Sequence, residues 1–175
     1  LLPFGEYIPF PRVAGYVAQF MDFAYSDFSP GSMQQSPVYV AGMPVGVSIC
    51  YEDVFGQEIL STLPDALFLV NVTNDGWFGH SIALDQNLQM ARMRSLETGR
   101  YMIRATNTGL TAIISAGGEI VSMAPRLEAA VLTGTVQPMQ GVTPYVLVGD
   151  SMVLVLIGLA LSITFALPRV EQRAG

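Results

Sequence analysis

A single cysteine with two acidic residues close behind it is the most reactive feature of this 175-residue sequence. Glu52 and Asp53 follow Cys50 within the segment ICYEDVF. A cysteine thiolate attacks carbonyl carbon atoms and carries an acyl group as a thioester. A lone cysteine is, by residue type alone, more often a small buried hydrophobic residue. The acidic neighbours favour the nucleophile, because carboxylates are costly to bury beside a structural cysteine.

Two other segments place polar or aromatic side chains where a ligand would bind. Glu6 follows Pro3-Phe4-Gly5, and this bend aims its carboxylate, although a surface turn has the same composition. Residues 71–79 (NVTNDGWFG) follow an apolar run and hold the only tryptophan. Loops at the carboxyl ends of strands bind ligands in α/β folds, and a packed β-turn is the alternative. His80 fits a solvated loop better than a Cys–His dyad.

The composition excludes several classes of protein. All eight basic residues are arginines, so the chain has no lysine. The net charge of −6 argues against a nucleic-acid partner, which requires a basic surface. One cysteine and one histidine exclude an intramolecular disulfide and argue against a Cys/His zinc site. Hydrophobic residues make up 51% of the chain and charged residues 13%, which argues against disorder and a coiled coil.

The predicted helices and strands around these residues follow an α/β pattern. Residues 45–49 and 66–70 are apolar runs that predict buried strands, and residues 71–81 predict a loop. A short helix is expected over 54–63. Leu84, Leu88, Ala91 and Ser95 share one stripe of a predicted amphipathic helix over 82–98, with Gly99 as its C-cap. Further strands are predicted near 101–105, 110–115, 119–123 and 131–136, with a hairpin turn at 116–118.

An apolar run covers residues 146–167 near the end of the chain. A helix over 145–167 would be about 34 Å long, enough for a hydrocarbon core of about 30 Å. Arg169 and Arg173 follow it, and the positive-inside rule then places the C-terminus in the cytoplasm and residues 1–144 outside. The alternative is a buried core helix, but the low charge and the terminal position favour the membrane.

Several segments together resemble the carbon–nitrogen hydrolase (nitrilase) superfamily. The resemblance extends over nearly the whole chain and is carried by LLPFGEYIPF, SICYEDVF, VNVTNDGWFG, QMARMRSLETGRYMIRATNTG and GVTPYVLVGD. It implies an α/β fold, the C-terminal half of a nitrilase-like α-β-β-α sandwich, in residues 1–144. One transmembrane helix over 145–168 and a short cytoplasmic tail over 169–175 would complete the chain. The resemblance also implies that residues upstream of Leu1 are missing.

Within that superfamily the sequence is similar to the membrane-bound branch that acylates bacterial lipoproteins. The resemblance implies that Cys50 takes an acyl chain from a phospholipid as a thioester and passes it to the N-terminal diacylglyceryl-cysteine of an apolipoprotein. Glu6 and Glu52 would assist, while the catalytic lysine and the general-base glutamate of the family match no residue here. The expected substrate-binding residues are Tyr51, Asn74, Trp77 and Phe78.

The resemblance implies no cofactor and no metal. The expected partners are the phospholipid donor, the apolipoprotein acceptor and membrane lipid, and no nucleic acid is expected. The protein is expected to be a monomer in the bacterial inner membrane, with its catalytic part facing the periplasm. The aromatic residues over 20–28 would form a lipid-contacting lid, or an ordinary packed loop. Two other functions stay open: a membrane-tethered nitrilase-type amidase, and a non-enzymatic membrane-anchored binding domain with an inert cysteine.

Overall fold

A six-stranded mixed sheet organises the chain. The structure is a computed structural model that describes residue 32 and residues 35–79 and 81–166, without the side chains of Trp77 and Ala166. The strands lie in the order in which they occur in the chain. They are β1 (Val38–Val40), β2 (Met43–Ile49), β3 (Phe68–Thr73), β4 (Met102–Thr106), β5 (Ala112–Ile114) and β6 (Ile120–Met123).

The three central strands are parallel and end at the same edge of the sheet. Strand β2 pairs with β3 and β3 with β4, both parallel, and their register aligns Ser48 with Asn71 and Asn71 with Arg104. Strands β1, β5 and β6 add antiparallel pairs on either side. Parallel pairing requires crossover connections, and here the segments between the central strands carry helices. The predicted strands over 45–49, 101–105, 110–115 and 119–123 are therefore confirmed within a few residues.

Two helices and two 3-10 turns lie in the crossovers. A 3-10 turn over Cys50–Val54 leads into helix α1 (Gly56–Leu60). A second 3-10 turn over Gly76–Phe78 precedes helix α2 (Ala83–Thr98). Helix α2 confirms the predicted helix, and Gly99 caps it in the left-handed conformation with a φ of 63°. The predicted short helix over 54–63 is confirmed with a shorter extent, because the extended backbone at Phe55 separates the 3-10 turn from α1 and α1 ends at Leu60.

The hydrophobic core lies between the sheet and α1 and α2. The predicted apolar stripe of α2 is buried, and it packs on inward residues of β3, β4 and β5 such as Leu69, Met102 and Ile114. Alternate residues of a strand point to the same face, so the residues two positions beyond Leu69 and Met102 face the helices too. They are Asn71 and Arg104. The helix-facing side of the sheet therefore changes from apolar to polar toward its carboxyl edge.

Two predictions about strands are wrong. Residues 71–73 belong to β3, where Asn71 pairs with Ser48 and Arg104 instead of lying in a loop. No strand forms over 131–136, which lies within the part of the chain that the structure describes. This segment crosses a face of the sheet, where Gly134 lies against the Ile113 side chain, and so it has no neighbouring strand to pair with.

The predicted continuous helix over 145–168 is interrupted. Helix α3 covers Pro144–Val148 and helix α4 covers Ser151–Ala166. Gly149 separates them with a φ of 54° and lies so close to Gln57 that a Cβ would be 2.6 Å from its Nε2. Among the described residues, no helix combines the length and the apolar character that a membrane span requires. The side chains of α4 from residue 151 to residue 165 are nevertheless exposed and mostly apolar.

Candidate active site

The carboxyl edge of the parallel strands gathers the candidate residues of the sequence. Cys50 follows β2 directly, and Asn74 follows β3. Asn107 follows β4 at the same edge and donates a hydrogen bond from its Nδ2 to Asn74 Oδ1 at 2.6 Å. Ligands bind at this edge in open α/β sheets. The sheet topology therefore brings Cys50 and the loop after β3 to the same edge.

Cys50 has an unusual backbone conformation. Its φ is +54°, in the left-handed region that costs a residue with a side chain about 1–2 kcal/mol. The thiol is free and half-buried. A strained turn between a strand and a helix presents a side chain at the top of a sheet, as it does for nucleophiles in other α/β enzymes. The geometry thus fits a nucleophile better than a core cysteine.

Glu52 supports the turn that follows Cys50. Its Oε2 accepts a hydrogen bond of 2.6 Å from the backbone N–H of Ile49, the residue before the cysteine. The backbone N–H of Phe55 then donates to the carbonyl oxygen of Glu52 at 3.0 Å. Charged acceptors make the stronger hydrogen bonds in proteins. The carboxylate of Glu52 is therefore held beside the cysteine and stabilises the bend on which the thiol stands.

A buried polar network lies directly beneath this turn. Nη1 of Arg104 donates to Asn71 Oδ1 at 2.7 Å and to Asp53 Oδ2 at 3.2 Å, and its Nη2 donates to Asp75 Oδ2 at 3.2 Å. Nδ2 of Asn71 donates to Ser48 Oγ at 3.0 Å and to the carbonyl oxygen of Cys50 at 3.1 Å. The side chains of Arg104, Asp53 and Asp75 are at most 3% exposed.

Burial changes the pKa of one carboxyl group in this network, that of Asp53. It raises the pKa of Asp53 to about 6, and the neighbouring charge of Asp75 adds to that rise. Arg104 and Arg94 lower the pKa, but they do not offset the loss of water around the carboxylate. The guanidinium of Arg104 thus lies between two buried acidic side chains, and burial weakens the acidity of the Asp53 carboxyl.

Aromatic and amide side chains lie on the segments that follow β2, β3 and β4 at this edge. Tyr51 and Phe78 are each 38% exposed, and Tyr51 makes an edge-to-face contact with Phe55 at a ring separation of 6.2 Å. Asn74 also accepts from the backbone N–H of Gly76 at 3.1 Å, which shapes the loop. The carboxyl ends of β3 and β4 border an open depression of about 550 Å³, lined by residues 72–74 and 105–107.

Several candidates cannot be placed. Glu6, His80 and the aromatic residues over 20–28 lie outside the described residues, and Trp77 is described without its side chain. Asn71 and Arg104 are candidates that sequence reasoning missed. The available signal was a polar residue at an inward position of an otherwise apolar strand, which needs a partner when it is buried.

Comparison with known proteins agrees with the α/β fold. The sequence model of the carbon–nitrogen hydrolase family matches residues 13–144. A carbon–nitrogen hydrolase from Helicobacter pylori superposes with a TM-score of 0.53 at 15% identity, covering 58% of this chain and 43% of that one. The NitFhit protein of C. elegans gives a TM-score of 0.50 at 22% identity, covering 59% and 27%. The chain belongs to the carbon–nitrogen hydrolase family and has its nitrilase-like α/β fold.

Two curated relatives share a more specific name. The chain is 55% identical to the apolipoprotein N-acyltransferase of Methylococcus capsulatus over 150 residues, which cover 86% of this chain and 30% of that protein. It is 53% identical to the apolipoprotein N-acyltransferase of Nitrosomonas europaea over 161 residues, covering 92% and 32%. The chain therefore spans about a third of the length of these curated relatives.

Proposed function

We propose that this chain is the part of an apolipoprotein N-acyltransferase that carries the nucleophile, Cys50. The carrying observation is the left-handed backbone of Cys50 at the carboxyl edge of the parallel strands. The names of the relatives, at 55% and 53% identity, support the acyl transfer and its acceptor. A phospholipid is the proposed acyl donor.

The first half-reaction acylates the cysteine. The Cys50 thiolate attacks the ester carbonyl carbon of a phospholipid acyl chain, and the carbonyl oxygen becomes an oxyanion. Collapse of this intermediate breaks the bond to the glycerol oxygen. This oxygen leaves and takes the proton that the Cys50 thiol had given to the general base, so a thioester stays on Cys50. Backbone N–H groups and a cation stabilise such an oxyanion in acyl transfer. Because the chain has no lysine, we propose that the remainder of the complete protein supplies the cation.

The second half-reaction transfers the acyl chain. The α-amine of the acceptor cysteine attacks the thioester carbonyl carbon and loses its proton to a general base, the family's glutamate. The C–S bond then breaks, an amide forms, and the Cys50 thiolate is restored. Glu6 and Glu52 would assist these proton transfers or hold the amine. Tyr51, Asn74, Trp77 and Phe78 would contact the substrates at the rim. No cofactor and no metal is part of the proposal.

A membrane location is the other part of the proposal. Helix α4 exposes large apolar side chains along its length, with Leu154, Ile157 and Leu161 each more than half exposed. Such an exposed apolar surface is costly in water and favourable in lipid. We propose that it anchors the protein in the bacterial inner membrane, with the catalytic part on the periplasmic side and the C-terminus in the cytoplasm. The protein would act there as a monomer.

The test follows a labelled acyl chain through both half-reactions. The full-length protein in detergent is mixed with phospholipid carrying a labelled acyl chain and with a diacylglyceryl-cysteine peptide. We expect the label on the peptide as an amide, and Cys50→Ala, the control, should give none. Hydrolysis of small amides without labelled peptide would instead indicate a tethered amidase. Neither activity, with an unreactive thiol, would indicate a binding domain.

A further inference from the structure

Arg104 dictates which way the amide of Asn71 faces. A guanidinium carries donors only, so the group that it contacts at 2.7 Å must be the amide oxygen of Asn71. The nitrogen of the same amide is then turned toward the other side, where Ser48 Oγ and the carbonyl oxygen of Cys50 accept its two hydrogens. Without the arginine, a rotated amide would place an oxygen against the carbonyl oxygen of Cys50.

The same guanidinium also holds the other end of the turn. Asp53 lies three residues after Cys50 in the 3-10 turn, and its carboxylate contacts Arg104 Nη1 at 3.2 Å. On the opposite side, Arg104 Nη2 contacts Asp75 at 3.2 Å, and Asp75 accepts further hydrogen bonds from Thr73 and Asn87. One buried cation is thus connected to both ends of the strained turn.

We propose that Arg104 and Asn71 are positioning residues for Cys50: Arg104 orients the Asn71 amide, and the amide holds the Cys50 carbonyl so that the left-handed conformation persists. This inference rests on the proposed function, because it assumes that Cys50 is the nucleophile. Neither residue touches substrate in this account. Their effect is on where the thiol sits, and misplacement of a reacting group by about 1 Å costs up to about 100-fold in rate.

A matched pair of arginine substitutions separates positioning from folding. Arg100 is 2% exposed, as buried as Arg104, but its guanidinium donates to the backbone carbonyls of Ala66, Pro64 and Gly141, remote from Cys50. Arg104→Lys and Arg100→Lys both keep the positive charge and lose the planar donor set. Both substitutions should reduce the stability of the fold, whereas only Arg104→Lys should change the reactivity of the Cys50 thiol.

The primary readout is the rate at which iodoacetamide alkylates Cys50 in the folded full-length protein. We expect Arg104→Lys to slow alkylation by about tenfold or more and Arg100→Lys to change it less than about twofold. Acyl transfer by Arg104→Lys should lose kcat with KM little changed. Asn71→Asp replaces the amide donor with an acceptor and should slow alkylation by a similar factor. It provides the test of the inference if Arg104→Lys does not fold.

The outcomes distinguish this inference from the proposed function. Equal alkylation rates for Arg104→Lys, Asn71→Asp and the wild type would overturn the inference even if the wild type transfers acyl chains. Equal losses in Arg104→Lys and Arg100→Lys would also overturn it, since the effect would then follow stability. If alkylation is slow in Arg104→Lys and Asn71→Asp but the wild-type protein transfers no acyl chain, the positioning role is supported and the acyltransferase function is rejected.

Discussion

Asn71 Nδ2 and the carbonyl oxygen of Cys50 are joined by a hydrogen bond of 3.1 Å, which links the middle of the parallel sheet to the turn that carries the thiol. The register of the sheet makes this contact possible, because Asn71 pairs with Ser48, two residues before the cysteine. The conformation of Cys50 therefore depends on residues of β3 and β4 that lie far from it in sequence.

Gly109 should be intolerant of substitution because it lies against the network. A Cβ at this position would be 1.9 Å from Oδ2 of Asp75, a carboxylate with no exposed surface. Gly109→Ala should therefore displace Asp75 from Arg104 and cost about 1–3 kcal/mol of stability, as overpacking does. Urea unfolding of the full-length protein in detergent measures the loss.

Gly117→Ala is the control for that clash, since the nearest atom to its new Cβ is Ser115 Oγ at 3.7 Å, an ordinary contact. We expect its unfolding midpoint to stay near that of the wild type. A Gly109→Ala protein as stable as Gly117→Ala, with unchanged alkylation of Cys50, would show that the Asp75 contact does not constrain the turn.

Asp53 should make stability depend on pH in an unusual direction for an aspartate. Its pKa is about 6 in the folded protein, above its ordinary value of 3.8, so the folded state binds the proton more tightly. The stability that this provides is complete below about pH 4 and is lost as the pH rises through 6. The difference corresponds to about 3 kcal/mol. Burial of the carboxylate is the main cause.

The measurement compares wild type and Asp53→Asn by urea unfolding at several pH values between 4 and 7.5. We expect the wild type to lose stability relative to the variant as the pH rises, because asparagine does not titrate. Titrating groups that do not interact with Asp53 cancel in this difference. A constant difference, or a relative gain for the wild type with rising pH, would contradict the raised pKa.

The sequence predicted local elements well and the network poorly, for a physical reason. Helix α2 and strand β2 follow from apolar periodicity and a capping glycine, which are local properties. The contact between Asp53 and Arg104 joins residues 51 positions apart and depends on sheet register, which no local pattern specifies. The break at Gly149 likewise depends on its approach to Gln57, a residue of another helix.

Glu52→Gln tests whether Glu52 does more than support the turn. Glutamine keeps an oxygen that accepts from the Ile49 N–H, so the fold should survive, whereas Glu52→Ala removes the acceptor and should cost about 1–2 kcal/mol. If the negative charge assists acyl transfer, Glu52→Gln should lose activity while its unfolding midpoint changes little. Wild-type turnover in Glu52→Gln would limit this residue to the structural role.

The orientation of the C-terminus is open to a reporter assay. Arg169 and Arg173 follow the apolar run, and the positive-inside rule places them in the cytoplasm. Full-length protein with C-terminal green fluorescent protein should therefore fluoresce, and the matched alkaline phosphatase fusion should be inactive. An active phosphatase with a dark fluorescent fusion would reverse the proposed topology.

Mass spectrometry of the acid-quenched enzyme shows whether Cys50 itself carries the acyl chain. Full-length protein is incubated with phospholipid without acceptor, quenched, digested and examined for the peptide that contains Cys50. We expect this peptide to gain the mass of one acyl chain, which hydroxylamine removes, and Cys50→Ser to accumulate little or none. An unmodified Cys50 peptide in an enzyme that still transfers acyl chains would rule out Cys50 as the acyl carrier.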